Sequence, residues 1–125
     1  MCPPNVGDID SLILEAKSFD TAIVFQTVNR IEDSFDIEGM FSAWENHNHV
    51  TQKNRHFIDM EHFQKVLYLG AGGCRLCKKC AKRTNEPCRH PDKALPSMEA
   101  YGISVYDLAL KCEMKYVNGK NTVTY

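Results

Sequence analysis

The chain has 125 residues, 43% of them hydrophobic, which suits one domain with a core and makes a second independent core unlikely. Its formal net charge of −1 gives no general reason to expect nucleic acid or an acidic membrane surface as a partner. No apolar run approaches the roughly 20 residues that cross a bilayer, and the N-terminus lacks the pattern of a signal peptide. We therefore expect a soluble, cytoplasmic protein.

The first third of the sequence predicts an extended start, a helix and a strand. Pro3 and Pro4 favour rigid, extended backbone. Asp8 or Asp10 can cap a short helix that ends near Asp20. Residues 21–28 are almost continuously apolar and include several β-branched side chains, which predicts a strand buried on both faces at the centre of a sheet.

Residues 33–69 follow a helical pattern, with apolar side chains recurring mostly at intervals of three and four. We interpret this segment as two helices, or as one bent helix, ending at Gly70 in a left-handed cap. His47 and His49 lie in its polar middle and are interpreted as part of a solvated helical face or of a turn between two helices. His56 and His62 are six residues apart and do not share a helix face as paired metal ligands would.

The C-terminal third predicts two capped turns and a hairpin. Ser97 can cap a short turn, and Ser104 with Asp107 resembles a capping box that opens a helix. Asn118-Gly119 favours a tight turn between strands at 114–117 and 120–125, which would join the central strand. The predicted fold is an α+β single domain over residues 1–125, with a small mixed or antiparallel sheet flanked by helices.

A cysteine loop at residues 70–93 is the most informative part of the sequence. Four of the six cysteines fall within fifteen residues in the pattern C-x2-C-x2-C-x7-C: Cys74, Cys77, Cys80 and Cys88. In a reducing cytosol, clustered cysteines are better interpreted as thiolate metal ligands than as disulfides. Two residues between half-cystines would also give small, strained loops. We therefore predict a metal site at the edge of the domain.

Two metals suit this pattern. Three closely spaced cysteines followed by a fourth are typical of a [4Fe–4S] cluster. Four thiolates are also a closed structural set for Zn²⁺, although zinc motifs usually pair two distant C-x2-C knuckles. We favour the cluster and keep zinc as the alternative.

Basic residues surround these cysteines. Residues 74–93 contain seven Lys/Arg and two Asp/Glu, whereas residues 1–73 contain five Lys/Arg and eleven Asp/Glu. These cations, with N–H groups of the Gly70 to Gly73 segment, would offset the charge of about −2 on a four-thiolate centre. They could dock an acidic redox or enzyme partner, or simply face water. His90 would be a ligand in place of Cys88, a hydrogen-bond donor to sulfur or a cap for its turn; we favour the last two.

The remaining cysteines are less informative. Cys112 lies in an apolar segment, which predicts a buried, inert thiol. Cys2 is either a similar thiol or a ligand of a second metal site whose other ligands lie outside this sequence. Neither is assigned to the cysteine loop.

The chain resembles a family described as predicted metal-binding proteins, domain of unknown function 2284. The resemblance is carried by 73–80, Cys88-Arg89-His90-Pro91 and 96–105, together with Cys2-Pro3-Pro4 and a C-terminal strand at 121–125. It implies metal binding by Cys74, Cys77, Cys80 and Cys88. Other members often have cysteine in place of Tyr101 and aspartate in place of Ser104, so the resemblance gives these two positions no metal role.

Three functions fit these observations. The first is an iron–sulfur protein that transfers electrons or assists an enzyme. The second is an enzyme with an open cluster iron, with His90, Glu99 and Tyr101 available for proton transfer. The third is a zinc-stapled interaction module, which could contact nucleic acid through its basic loop. The absence of aromatic residues from that loop and the slightly acidic net charge of the chain argue against it.

Overall fold

The computed structural model describes residues 6–125, and the predicted extended start at Cys2-Pro3-Pro4 lies outside them. It contains three α-helices and two short β-strands: α1 (Ile9–Lys17), β1 (Val28–Arg30), α2 (Ile37–Met60), α3 (Val105–Lys111) and β2 (Thr122–Thr124). Two 3₁₀ turns complete these elements, at Ala81–Thr84 and Met98–Tyr101. The predicted α+β class is confirmed, as is the antiparallel sheet. Within the described residues, no helix is both long enough and apolar enough to cross a membrane.

The chain divides into two compact units. One comprises the described part of Met1–Ala22 with Leu67–Leu108, and the other comprises Ile23–Val66 with Ala109–Tyr125. We call them the cysteine unit and the sheet unit. The prediction of one domain over residues 1–125 stays a prediction.

In the cysteine unit, α1 packs against the second 3₁₀ turn. Asp8 caps α1 as predicted, accepting a hydrogen bond of 2.9 Å from the Ser11 N–H. The Tyr101 hydroxyl donates a hydrogen bond of 3.1 Å to the Glu15 carboxylate. Burial, together with the neighbouring Glu15, raises the pKa of Tyr101 above its ordinary value. Tyr101 therefore holds the turn against α1.

The cysteine loop is closed at its base by backbone hydrogen bonds. Gly70 forms a parallel bridge with Ser97: its N–H donates to the Pro96 carbonyl at 2.8 Å, and its carbonyl accepts from Met98 at 3.1 Å. The prediction that Gly70 ends a helix is wrong, because α2 already ends at Met60. The Ser97 hydroxyl caps the following turn as predicted, accepting from Ala100 at 3.3 Å.

The sheet unit is built on a short antiparallel pair. β1 pairs with β2 in the register Val28 to Thr124 and Arg30 to Thr122. The prediction of a doubly buried strand over residues 21–28 is wrong, because the strand begins at Val28 and Ile23 is 74% exposed. β2 has only three residues, so it pairs with no more than the end of the predicted segment.

The C-terminal hairpin was predicted correctly only in its second strand. Residues 114–117 form no strand, whereas β2 pairs with β1. The Asn118 side chain bonds to the Lys115 carbonyl at 2.9 Å and to the Thr124 hydroxyl at 3.0 Å. These bonds to the chain on either side make a local turn instead of a two-stranded hairpin. The predicted cap of α3 is confirmed, with Ser104 accepting from the Asp107 N–H at 3.3 Å.

His47 is a core residue of the sheet unit. Its side chain is 8% exposed, its Nδ1 lies 2.9 Å from the Thr27 hydroxyl, and its ring stacks on Phe25 at a centroid distance of 5.4 Å. The Tyr125 ring lies 5.9 Å away on centroid distance. The assignment of His47 to a solvated face is therefore wrong, whereas His49 is exposed. Burial lowers the pKa of His47 below its ordinary value of 6.5.

Gly102 allows the second 3₁₀ turn to approach α1, because its φ is +71° and an added Cβ would lie 2.8 Å from Ile13 Cγ1. We expect Gly102→Ala to lower the free energy of unfolding by about 2–4 kcal/mol through left-handed strain and this close contact. Gly72→Ala is the control, because Gly72 has a φ of +68° but no atom within 4 Å of an added Cβ. Urea denaturation should show the smaller loss for Gly72→Ala; equal losses would exclude the contact as the cause.

His47 should make the sheet unit sensitive to acid. Because its folded-state pKa lies below 6.5, the unfolded chain takes up the proton first, and stability is lost as pH falls from about 6.5 towards the folded pKa. Thermal unfolding of wild type and His47→Gln should be measured between about pH 8 and about pH 5, a range that spans the ordinary pKa of histidine. The stability of the variant should depend less on pH than that of the wild type. His49→Gln should keep the wild-type dependence. A wild-type dependence retained in His47→Gln would contradict this assignment.

Candidate metal centre

The four cysteines of the loop line one small cavity in the cysteine unit. Its walls also include apolar and basic side chains: Cys74, Leu76, Cys77, Cys80, Ala81, Cys88, Arg89, His90 and Ala94. All four thiols are free and partly buried. Four soft sulfur donors around one largely apolar cavity fit a thiophilic metal centre.

The seven residues between Cys80 and Cys88 reverse the chain through the first 3₁₀ turn. The Cys80 carbonyl accepts from the Arg83 N–H at 3.2 Å, and the Ala81 carbonyl accepts from Glu86 at 3.2 Å. Asn85 ends the turn in the left-handed region, with a φ of +59°. Ala81 is 3% exposed and anchors the turn beside the cavity. This reversal explains how cysteines eight positions apart reach the same cavity.

Arg89 connects the two limbs of the loop. Its guanidinium donates a hydrogen bond of 2.9 Å to the Lys79 carbonyl, directly before Cys80. The same group lies 3.9 Å from the Glu86 carboxylate, in a pair whose two side chains are both more than half exposed. The ion pair is therefore worth little, whereas the bond to Lys79 holds the residues before Cys80 against those after Cys88.

His90 contributes to the site through its backbone. Its N–H points to the Cys88 sulfur at 3.4 Å, and its carbonyl accepts from Lys93 at 3.1 Å and from Ala94 at 2.9 Å. These bonds involve the main chain, so the roles predicted for the His90 side chain stay predictions. An N–H directed at a thiolate stabilises its charge.

The glycines before Cys74 differ in whether their backbone N–H groups are already hydrogen-bonded. The Gly70 N–H is already bonded to the Pro96 carbonyl, so the expectation that it offsets charge at the metal site is wrong. Gly72 turns the chain in the left-handed region, and both Gly72 and Gly73 are exposed. These residues form a short turn between the base of the loop and the first cysteine.

The cysteines share the cavity, yet their donor atoms are not gathered around one point. Within residues 6–125, no three Cys, His, Asp or Glu side chains form a group able to hold a metal ion as they stand. Metal sites are seldom fully formed without their metal, and ligand ordering is usually coupled to binding. Coordination would require the four sulfur atoms to converge within the cavity.

Other residues with predicted roles lie elsewhere. Glu99 is exposed on the second 3₁₀ turn, and the Tyr101 hydroxyl is bonded to Glu15, so neither lines the cavity. Cys112 is exposed, which corrects the prediction of a buried thiol. The sequence pattern did not reveal the bond from Arg89 to Lys79, because a side chain bonded to a distant carbonyl leaves no periodic signal.

Comparison with known families identifies the family of the chain. Residues 1–125 match the family described as predicted metal-binding protein (DUF2284). The chain belongs to this family. The resemblance inferred from the sequence is confirmed, and metal binding is the property that the family description provides. Comparisons with curated proteins and with solved structures found no match.

Arg89 should strengthen metal binding without being a ligand. We expect Arg89→Ala to weaken metal affinity about 10-fold to 100-fold, as loss of an outer-shell bond usually does, because the limbs that carry Cys80 and Cys88 would separate more easily. Arg83→Ala removes the same charge from an exposed position of the first 3₁₀ turn and should change affinity less than threefold, roughly the effect of a lost exposed charge. Chelator competition measures both. Equal weakening would indicate a general charge effect instead.

Proposed function

We propose that the protein holds one [4Fe–4S] cluster through Cys74, Cys77, Cys80 and Cys88 and serves in electron transfer or as an accessory to an enzyme. The observation that carries this proposal is that these four free thiols line one cavity. Their spacing, with three cysteines on one short segment and a fourth after a turn, is typical of cluster ligation. A reducing compartment such as the cytoplasm would keep the thiols available.

A bound cluster would supply one-electron chemistry, while the chain would set its surroundings. Leu76, Ala81 and Ala94 place apolar groups beside the cysteines and limit the access of water. The His90 N–H directed at Cys88 would lower the electron density on that sulfur. Fewer waters strengthen local electrostatic effects, and N–H donors raise a cluster's reduction potential.

Zinc is the second candidate, because four thiolates are also a closed ligand set for a single zinc ion. The same four free cysteines that line the cavity would supply them. Four thiolates would then form a structural zinc site that fixes the loop, and the protein would act as an interaction module.

Catalysis through an open iron has less support from this geometry. It would need proton-transfer groups near a displaced Cys88, and Tyr101 is instead bonded to Glu15. Because burial and Glu15 raise the pKa of Tyr101, its hydroxyl also gives up a proton less readily than an exposed tyrosine. His90 is the remaining candidate that lines the cavity.

Metal and sulfide analysis of anaerobically purified protein tests the proposal. Wild type should be brown and contain about four iron and four sulfide per chain, as the cluster type requires. Each of Cys74→Ser, Cys77→Ser, Cys80→Ser and Cys88→Ser should lose most of this content, because each removes one of four thiolate ligands.

Cys112→Ser is the matched control, because Cys112 is an exposed free thiol outside the cavity and should keep the wild-type metal content. A colourless protein with one zinc per chain, lost on the same four substitutions, would replace the cluster with the zinc site. Full metal content in Cys88→Ser would contradict a four-cysteine centre of either kind.

A further inference from the structure

Seven basic residues lie in the cysteine loop, and we call them the basic rim: Arg75, Lys78, Lys79, Lys82, Arg83, Arg89 and Lys93. Six of them are exposed, and Lys82 is partly exposed. Residues 74–93 contain just two acidic residues, Glu86 and Asp92, and so carry a formal charge of +5. The rest of the chain holds eight Lys/Arg and fourteen Asp/Glu, a formal charge of −6. Residues 74–93 thus carry a net positive charge, whereas the rest of the chain taken together is net negative.

The basic residues of the rim lie next to the cysteines in the sequence. Arg75 lies between Cys74 and Cys77, and Lys78 and Lys79 separate Cys77 from Cys80. Arg89 follows Cys88 and lines the cavity itself. The charge of the rim therefore lies next to the cysteines along the chain.

The rim carries more charge than the centre needs. Four thiolates around a cluster or a zinc ion leave about −2 on the site. The formal charge of +5 on residues 74–93 is larger than the charge of the centre. The segment and the centre together therefore keep a net charge of about +3. Compensation of the metal site alone does not account for so many exposed cations.

We propose that the basic rim is the docking surface for an acidic protein, whose carboxylates meet the rim and bring its own reactive group to the cavity. That docking serves electron transfer or assistance to an enzyme rests on the proposed function. Opposite charges at such a surface speed association and orient the partner. Residues 70–94 contain no Phe, Tyr or Trp on which nucleic-acid bases would stack, so an acidic protein fits this surface better than single-stranded nucleic acid.

Fluorescein-labelled poly-L-glutamate is the probe, and its anisotropy with metal-loaded protein is the measurement. Binding should weaken at least about tenfold between about 20 mM and about 200 mM NaCl, because screening shortens the reach of exposed charges. Arg83→Glu/Lys93→Glu, at two exposed positions of the rim, should weaken binding at low salt by about a further tenfold. The metal content of this variant should remain at the wild-type level.

Lys115→Glu/Lys120→Glu is the control, because it makes the same change in net charge at two exposed positions of the sheet unit. It should bind within about twofold of wild type, since its charges lie outside the rim. Equal weakening of both variants would overturn the proposal in favour of net charge alone.

Labelled single-stranded DNA of matched total charge is the second probe. DNA binding more than about tenfold tighter than polyglutamate binding at about 150 mM salt would overturn the acidic-protein proposal.

Metal content separates the docking surface from the proposed function. If the wild type binds polyglutamate through the rim but holds no metal, the proposed function is wrong. If the wild type holds metal but its polyglutamate binding does not depend on the rim, the proposed docking surface is wrong.

Discussion

Closure of the cysteine loop is the constraint on which the site depends. The Gly70 bridge to Ser97 joins the ends of the loop, and the 3₁₀ turn after Cys80 reverses the chain inside it. Arg89 then ties the residues on either side of that reversal through the Lys79 carbonyl. These are backbone hydrogen bonds and one side-chain bond to backbone, so the loop keeps its shape with little apolar core. Such a loop places four cysteines on the wall of one cavity.

Elements specified by local chemistry were predictable from the sequence. Asp8, Ser97 and Ser104 cap the turns and helices expected of them, because a side-chain oxygen and an N–H three residues later suffice for each cap. The cysteine set was equally local, since its spacing alone restricts which residues can meet. The family match supports metal binding and leaves the kind of metal open to chemistry.

Elements that depend on distant contacts were less predictable. The apolar run at 21–28 resembles a buried strand, yet β2 offers only three residues for pairing, and Ile23 remains 74% exposed. His47 and His49 are indistinguishable in the sequence, yet His47 meets Phe25 and Tyr125 whereas His49 is exposed. Apolar periodicity indicates a helix, but the partners that bury one of its faces come from other parts of the chain.

The central claim is that four sulfurs converge on one inorganic centre, and X-ray absorption at the metal edge tests it most directly. Metal-loaded protein should show a first shell made of sulfur, with about four scatterers at about 2.3 Å for either iron or zinc. The cluster would add a metal–metal shell that zinc lacks. A first shell dominated by nitrogen or oxygen, or one that is unchanged in Cys80→Ser, would contradict the account.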